Sequence, residues 1–179
     1  MTLHSDALRT LSAWPDSDTR RRMLELLRTG PHVLDRDGGA DHFTASALVL
    51  DAAHERVLLC LHRRVRRWVQ LGGHCEPDDT SLGGAALREA TEESGIDGLT
   101  LHDGPIGIDI HAVHCAAGPS RHFDVRFLAV APPGAAPVVS DESEDLAWFP
   151  VDHLPNPLAP ATAELIGPAL TRARALPAP

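Results

Sequence analysis

The segment 81–95 carries three glutamates at positions that a helix would place on one face. Glu89, Glu92 and Glu93 stand at i, i+3 and i+4, the separations at which helical side chains project together. Like charges at these separations repel one another, and a bound divalent cation would relieve the repulsion. Carboxylate oxygens are hard ligands that favour Mg²⁺ or Mn²⁺ over Zn²⁺, and such ions also bind substrate phosphates. The pattern therefore predicts a metal site for phosphate chemistry.

The helix that would carry these glutamates is predicted to run from about Ser81 to Ser94 and to end at Gly95. Its other side, between positions 85 and 90, is small and apolar, so it is expected to pack closely on a sheet. The pair Gly72-Gly73 precedes the helix and permits close approach of a backbone carbonyl to a cation. The helix would thus be a rigid platform that holds carboxylates beside a glycine turn.

The segment from Gly73 to Ile96 resembles the Nudix box, the signature of a family of phosphoanhydride hydrolases. The box is a glycine, five residues, a glutamate, seven residues and then Arg-Glu-apolar-x-Glu-Glu-x-Gly-apolar. Residues 88–96, Arg-Glu-Ala-Thr-Glu-Glu-Ser-Gly-Ile, match its second half at every specified position. On this resemblance the chain is identified as a Nudix-type hydrolase.

The first half of the box departs from the pattern by one inserted residue. Its glutamate falls on Asp79 when counted from Gly73 and on Thr80 when counted back from Arg88. Because that glutamate pairs with the box arginine in the family, Asp79 is the candidate partner of Arg88. The pair Gly83-Gly84 inside the helix costs about 1 kcal/mol per residue relative to Ala. We hypothesise that the insertion makes a bulge or an irregular first turn there.

The resemblance implies a Mg²⁺ site, with Mn²⁺ as an alternative, and gives catalytic roles to Arg88 and the box glutamates. The metal ligands would be the Gly72 carbonyl, Glu89, Glu92 and Glu93. A further carboxylate from a later loop often completes such a site or activates the water. In the acidic run 141–145 we select Glu144, and Glu142, Asp141 and Asp145 are candidates for the same role.

The implied reaction is hydrolysis of a phosphoanhydride bond in a nucleoside diphosphate linked to another moiety. Metal ions would polarise the bridging phosphates while a carboxylate positions or deprotonates the attacking water. Two other functions stay open. A catalytically inactive domain would bind a nucleotide metabolite as a sensor, and a prenyl diphosphate isomerase on the same fold would use Cys75 and a glutamate for proton transfer. The substrate itself is not identified by the sequence.

The expected fold is α/β, a Nudix-type α/β/α sandwich with a mixed sheet, preceded by an N-terminal helical hairpin. Residues 1–40 are assigned to the helical extension, 41–155 to the Nudix hydrolase domain, and 156–179 to a C-terminal helix and tail of the same domain. The hairpin breaks at 14–17, Trp-Pro-Asp-Ser, and is a candidate lid or dimer interface.

Alternating and apolar runs predict two β-hairpins and one further strand. The predicted strands are 45–50 and 57–61, then 106–113 and 123–131 joined by a turn at 118–120, and finally 146–149. The C-terminal helix is predicted to be interrupted at Pro168 because proline lacks a backbone N–H.

The basic stretch 62–67 lies where a strand would run toward the glutamates. The candidate ligands for substrate phosphates in this stretch are His62, Arg63, Arg64 and Arg67. A solvated basic turn is an equally good interpretation. Four aromatic residues are candidates for stacking on a base, although aromatic residues beside strands more often belong to the core: Trp68, Phe123, Phe127 and Trp148.

The chain has 11 histidines and 3 cysteines, which raises the question of zinc. The candidate ligand sets are His111 with His114 and Cys115, or His74 with Cys75. Residues at such spacings rarely converge on one ion, so zinc is not favoured. The odd number of cysteines also argues against a disulfide framework and indicates reduced thiols.

The net charge of −9 disfavours binding to nucleic acid or to anionic lipid. No stretch approaches the roughly 18 consecutive apolar residues of a membrane helix, and the N-terminus lacks the layout of a signal peptide. We expect a cytoplasmic protein whose partner is a small nucleotide-type molecule. Neither nucleic acid nor a membrane is expected as a partner, and the family resemblance adds a homodimer as a candidate assembly.

Overall fold

A computed structural model describes residues 1–115, 118–139 and 143–175, without the side chains of His114 and Cys115. Its centre is one mixed sheet whose main path runs β3-β2-β1-β7-β5, with β4 beside β1, β6 beside β7 and β8 beside β2. β1 and β7 are parallel over ten residue pairs, and the other strand pairings are antiparallel. The strands are Asp41–Leu50 (β1), Arg56–His62 (β2), Arg67–Val69 (β3), Leu71–His74 (β4), Thr100–Leu101 (β5), Gly107–Cys115 (β6), Gly118–Val130 (β7) and Ser143–Pro150 (β8).

Helices cover both faces of the sheet, because successive side chains of β1 and β7 alternate between two apolar clusters. The odd positions, such as Phe43 and Val125, pack with α1, α2 and α3. The even positions toward the strand ends, Leu48, Leu50 and Leu128, pack with α4. The helices are Leu3–Ala13 (α1), Asp18–Leu27 (α2), Leu82–Ser94 (α3) and Pro160–Arg174 (α4), and a short 3₁₀ helix spans Pro31–Leu34. The predicted α/β/α sandwich with a mixed sheet is confirmed.

The N-terminal hairpin is confirmed, and it is docked on the body of the protein. Leu11, Met23 and Leu27 are fully buried in the same cluster as α3. The Asp6 carboxylate is also buried and accepts a hydrogen bond of 2.9 Å from the backbone N–H of Leu82, the first residue of α3. The first N–H groups of a helix lack partners within it, so the carboxylate satisfies one of them. The hairpin therefore stabilises the start of the glutamate helix.

Two local predictions are wrong. Gly118, Pro119 and Ser120 are not a turn but the first residues of β7, where they pair with the end of β6. Pro168 does not interrupt the last helix, since α4 continues through it from Pro160 to Arg174. A proline removes one hydrogen bond, and the apolar face that α4 buries through Leu165, Ile166 and Ala169 compensates for that loss. Among the described residues, no helix combines the length and apolar character needed to cross a membrane.

Candidate active site

The glutamate helix α3 begins and ends where its sequence predicts. The Ser81 hydroxyl caps its start by accepting from the Gly84 N–H at 3.0 Å, and Gly95 closes it in the left-handed region with φ of 63°. A Cβ on Gly83 would lie 2.9 Å from Leu101 Cδ2, so a glycine there lets α3 approach the sheet. The hypothesis of a bulge at Gly83-Gly84 is wrong, because the first turn is regular and the inserted residue lies in the preceding loop.

That preceding loop is closed by Asp79. Its backbone N–H donates to the Glu76 carbonyl at 3.0 Å, and its carboxylate accepts from the Glu76 N–H at 2.8 Å. The same carboxylate accepts from Arg88 Nη2 at 3.0 Å and from Arg88 Nε at 3.3 Å. Asp79 thus occupies the structural place of the box glutamate as the partner of Arg88.

Arg88 connects this loop, β4 and the helix. Its guanidinium donates to the His74 carbonyl at 2.9 Å, to Glu89 at 3.1 Å and to Glu92 at 3.0 Å. Burial lowers the pKa of Arg88, but the bonds to Asp79 and the charge of Glu89 outweigh that effect and raise it. The guanidinium is therefore a fixed cation that holds Glu89 and Glu92 on one side and the loop on the other.

Gly72 and Gly73 lie on strand β4 rather than in a turn, and Glu89 and Glu93, one helical turn apart on α3, face them. The Gly72 N–H donates to the Glu93 carboxylate at 2.9 Å. A Cβ on Gly73 would lie 2.6–2.9 Å from the carboxylate atoms of Glu89, so any side chain there would displace it. Glu92 lies outside this contact, with 58% of its side chain exposed beside Arg88. The structure therefore brings Glu89, Glu93 and Gly72 together and leaves Glu92 at the rim.

This arrangement fits a hard divalent cation. The converging side chains of Glu89 and Glu93 supply oxygen ligands, and the absence of a side chain at Gly73 lets the Glu89 carboxylate lie against the backbone of β4. A cation held by Glu89, Glu92 and Glu93, together with the Gly72 carbonyl, would use donors of one chemical class. Such donors suit Mg²⁺ and Mn²⁺ better than Zn²⁺.

The predicted phosphate-binding residues lie in and beside the turn between β2 and β3. Arg63 Nε donates to the Ser143 carbonyl at 3.2 Å, and the His62 ring accepts from the Arg64 N–H at 3.2 Å. Arg67 is exposed on β3, where it lies opposite His62 of β2 in the strand pairing. The contact of Arg63 thereby anchors the turn to the first residue of β8. Arg64 in the turn and Arg67 beside it are exposed.

Glu144, the selected fourth carboxylate, forms an ion pair with Arg66 of this turn. Asp145 accepts the N–H of Leu146 and is exposed. Asp141 and Glu142, the remaining candidates of the acidic run, lie outside the described residues. The Cys60 thiol on β2 forms a hydrogen bond with Ser143, the first residue of β8.

Comparison with known proteins identifies the family. A family model described as the NUDIX domain matches residues 40–167, most of the chain. This chain is a member of the Nudix hydrolase family. A search of curated proteins gives no match to the sequence.

Solved structures share the Nudix fold. A MutT NUDIX hydrolase from Burkholderia pseudomallei is 28% identical, with a TM-score of 0.54 over 70% of this chain and 95% of that one. An Ap4A hydrolase from C. elegans is 18% identical, with a TM-score of 0.57 over 75% and 98%. An ADP-ribose pyrophosphatase from Streptococcus suis is 21% identical, with a TM-score of 0.56 over 74% and 92%. At these last two identities the likeness shows the fold alone.

Cys60 and Cys75 of this Nudix domain are buried. Burial, followed by the charge of Glu93, raises the pKa of the Cys60 thiol to about 12. Burial and the charge of Asp79 raise that of Cys75 to about 12. Both thiols are free, and both stay protonated near neutral pH. Cys115 has no described side chain.

The aromatic candidates divide between core and edge. Phe123 and Phe127 are buried in the core under α3. Trp68 stacks edge-on against Phe149 with ring centroids 4.7 Å apart in the α4 cluster. Trp148 is half-buried beneath the Arg56 guanidinium. The core interpretation therefore holds for the two phenylalanines.

A buried polar network on the α4 face was not predicted. Asp124 accepts from Ser46 at 2.9 Å and from Arg126 Nε at 2.8 Å, and only 5% and 6% of the Asp124 and Arg126 side chains are exposed. Arg126 also donates to Asp109 at 2.7 Å. The hydroxyl of Thr162 on α4 reaches this region through Gln70. A buried charge needs such partners. The signal in the sequence that could have revealed the network is the alternation of β7, which indicates that the Asp124 side chain faces inward.

Histidines far apart in the sequence meet on this same face. His42, His74 and His122 each place a ring nitrogen within 4.8 Å of the others. Burial, followed by repulsion from neighbouring histidine and arginine charges, lowers the pKa of His74 to about 4. Burial and three neighbouring histidines lower that of His122 to about 3. Both rings are therefore neutral at physiological pH. The sequence sets considered for zinc missed this group because its members are not near one another in the chain.

Proposed function

We propose that this Nudix hydrolase cleaves a phosphoanhydride bond in a nucleoside diphosphate linked to another moiety, with Mg²⁺ as its metal and Mn²⁺ as a substitute. The observation that supports the proposal most strongly is the convergence of Glu89 and Glu93 on Gly72 and Gly73 of β4. Arg88 adds support, because it pairs with Asp79 although the box glutamate is absent.

The glutamates would hold the cation together with the Gly72 carbonyl. When bound, the cation supplies Lewis-acid polarisation of the phosphate oxygens. Glu93 is already oriented by the Gly72 N–H, and Glu89 by the Arg88 guanidinium. Because both carboxylates are already oriented, little further ordering is needed when substrate binds. Such preorganisation stabilises the transition state. Arg88 is a positioning residue in this scheme.

We assign activation of the attacking water to Glu144. Its carboxylate is an acceptor, so it can take a proton from water once the ion pair with Arg66 opens. An anionic substrate that draws Arg66 to its phosphates would open this pair. Glu144→Gln should then lower kcat with little change in KM, while Arg66→Gln should raise KM.

The basic turn would bind the substrate's phosphates. The protein carries a net charge of −9, so an anionic substrate needs a local cationic group. Arg63, Arg64 and Arg67, with His62, provide it beside the start of β8. Guanidinium groups bind phosphate oxygens through paired, charge-assisted hydrogen bonds. The substrate class is therefore a small nucleotide-type molecule, in line with the Ap4A and ADP-ribose named for proteins of the same fold.

The two other functions are less well supported by the geometry. A sensor without turnover was suggested by the altered box, but Asp79 restores the partner of Arg88. An isomerase would need Cys75 to transfer protons, yet that thiol is buried and its pKa is raised. A group that neither reaches solvent nor ionises near neutral pH is a poor acid-base catalyst.

The test is a screen over nucleotides, dinucleoside polyphosphates, nucleotide sugars and ADP-ribose, with and without Mg²⁺. Products are separated by ion-exchange chromatography, because cleavage of a linked nucleoside diphosphate yields two phosphate esters rather than free phosphate. The Glu93→Gln variant keeps an acceptor for the Gly72 N–H but removes the charge. Glu164→Gln on α4 is the matched control, since it makes the same change on an exposed residue of the other layer. Turnover that requires Mg²⁺ and is lost only in Glu93→Gln supports the proposal. No turnover with any compound, while one of them raises the melting temperature, would instead support the sensor.

A further inference from the structure

A row of histidines crosses four adjacent strands on the sheet face opposite the glutamates. His111 on β6 is paired with His122 on β7, which is paired with His42 on β1. His74 extends the row on β4, where its neighbour on β1 is Thr44. Neighbouring strands lie about 4.8 Å apart, and the ring centroids are 4.9–5.6 Å apart.

The face is defined by the alternation of each strand. His42 has the parity of Leu48 and Leu50, which pack against α4. His74 follows Gly73, whose missing side chain would point at Glu89 on α3. The histidines and the glutamates therefore lie on opposite sides of the sheet, and β4 carries both His74 and the glycine pair that faces the glutamates.

Three of these rings offer nitrogen atoms to a common point. The Nε2 atoms of His42 and His74 are 3.1 Å apart, and the ligand atoms of His42, His74 and His122 all lie within 4.8 Å of one another. Nitrogen ligands about 2.05 Å from a tetrahedral Zn²⁺ are about 3.3 Å from each other. The Nε2 atoms of His42 and His74 are close to this spacing. An inward rotation of the His122 ring would bring its ligand nitrogen to the same spacing.

The second contact of His42 selects the tautomer of its neutral ring. Its Nδ1 lies 3.1 Å from the Gly39 carbonyl, which can only accept, so the neutral ring carries its proton on Nδ1. The lone pair is then on Nε2 and points toward His74. A backbone carbonyl that orients the far nitrogen of a histidine in this way is typical of metal-bound histidines.

We propose that His42, His74 and His122 form a binding site for a zinc-type transition-metal cation. Neutral imidazoles select Zn²⁺ and its neighbours over Mg²⁺, which needs oxygen donors. Three protein ligands leave a fourth position for water or another ligand. The site joins β4, β1 and β7, so a bound cation clamps the strand that carries Gly72 and Gly73. This inference is independent of the proposed hydrolase activity.

The experiment is a titration of chelator-treated protein with Co²⁺, whose visible absorption reports tetrahedral nitrogen coordination, followed by competition with Zn²⁺. The glutamate site is a competing location, so the titration is repeated in Glu89→Gln/Glu93→Gln. We expect about one equivalent of Co²⁺ with tetrahedral bands in both proteins. Bands that disappear in the glutamate variant would overturn the proposal.

Variants of the ligands give the second test. His42→Gln, His74→Gln and His122→Gln should each weaken Zn²⁺ binding by about 100-fold or more, since even groups behind the ligands contribute 10–100-fold. His153→Gln, an exposed histidine beyond β8, is the matched control and should bind as the wild type does. Zn²⁺ should raise the melting temperature of the wild type and the control only. Equal binding by all four variants would assign the ion to scattered surface histidines and overturn the site.

His42 is fully buried, so its variant can fail to fold for reasons of packing. A measurement on the wild type avoids this difficulty. Long-range ¹H–¹⁵N spectra of the histidine rings, recorded with and without one equivalent of Zn²⁺, should show the ligating nitrogens of three rings shifting together. Shifts confined to exposed rings, or no shifts, would contradict the proposal.

Discussion

The two faces of the sheet carry two different chemistries. On the α3 face, carboxylates lie on one helix and point at the glycine pair of β4. On the α4 face, imidazoles stand on four strands, above a buried network around Asp124. The helix brings together residues that are close in sequence, whereas the sheet brings together His42 and His122, which are 80 positions apart. A local motif thus reveals the first group and conceals the second.

The largest expected effect separates the two faces by activity. Glu93→Gln should lower kcat/KM by about 10²–10⁴-fold, because it removes a negatively charged ligand of the proposed cation. The same variant should bind Co²⁺ at the histidines as the wild type does. Steady-state kinetics and the Co²⁺ titration on one preparation check both statements. Hydrolysis that survives in Glu93→Gln would contradict the assignment of catalysis to the carboxylates of the α3 face.

The next effect is on stability and belongs to the α4 face. Asp124→Ala should lower the free energy of unfolding by about 3–5 kcal/mol, since it removes one of the two carboxylates that pair with the buried Arg126 and leaves Asp109 as the other. Asp41→Ala is the control on the same pair of strands, where the Asp41–Arg121 pair is half-exposed. It should cost about 0.2–1 kcal/mol. Urea unfolding of both variants measures the difference, and equal losses would contradict the burial argument.

The α3 face has a smaller stabilising contact with the N-terminal hairpin. Asp6→Ala should cost about 1–2 kcal/mol, because the Leu82 N–H loses its acceptor at the start of α3. Asp18→Ala at the first turn of α2 is the comparison, with an exposed carboxylate paired to Arg21. Its cost should be about 0.5 kcal/mol or less. Thermal unfolding compares the two, and a neutral Asp6→Ala would show that the hairpin does not support α3.

The last expected effect is a dependence on pH that arises from the histidine face. The pKa of His74 is lowered from 6.5 to about 4 and that of His122 to about 3, so the unfolded chain binds more protons in this range. The free energy of unfolding of metal-free protein should therefore fall as pH decreases from about 6.5 toward 4. His122→Gln should reduce the slope by up to about one proton per chain. A slope unchanged in this variant would show that His122 is not buried neutral.

The sequence predicted α3 to within a residue, because capping by Ser81 and Gly95 is local chemistry. Asp79 was also identified, since the loop before the helix is short. The contact of Asp6 with Leu82 could not be found, because it depends on how the hairpin docks. The meeting of His42 with His122 depends on the parallel register of β1 and β7, which no short motif encodes. The turn predicted at 118–120 is wrong because glycine and proline, which are typical of turns, also occur at the first residues of a strand. Here they begin β7 and pair with the end of β6.

The most direct test of two chemically distinct sites is anomalous diffraction from crystals of the full chain grown with Mn²⁺ and Zn²⁺, with data collected at the absorption edge of each metal. The account predicts a Mn²⁺ peak between Glu89, Glu93 and Gly72 on the α3 face, and a Zn²⁺ peak among His42, His74 and His122 on the other. Both metals at one location, or no Zn²⁺ peak at the histidines, would contradict it.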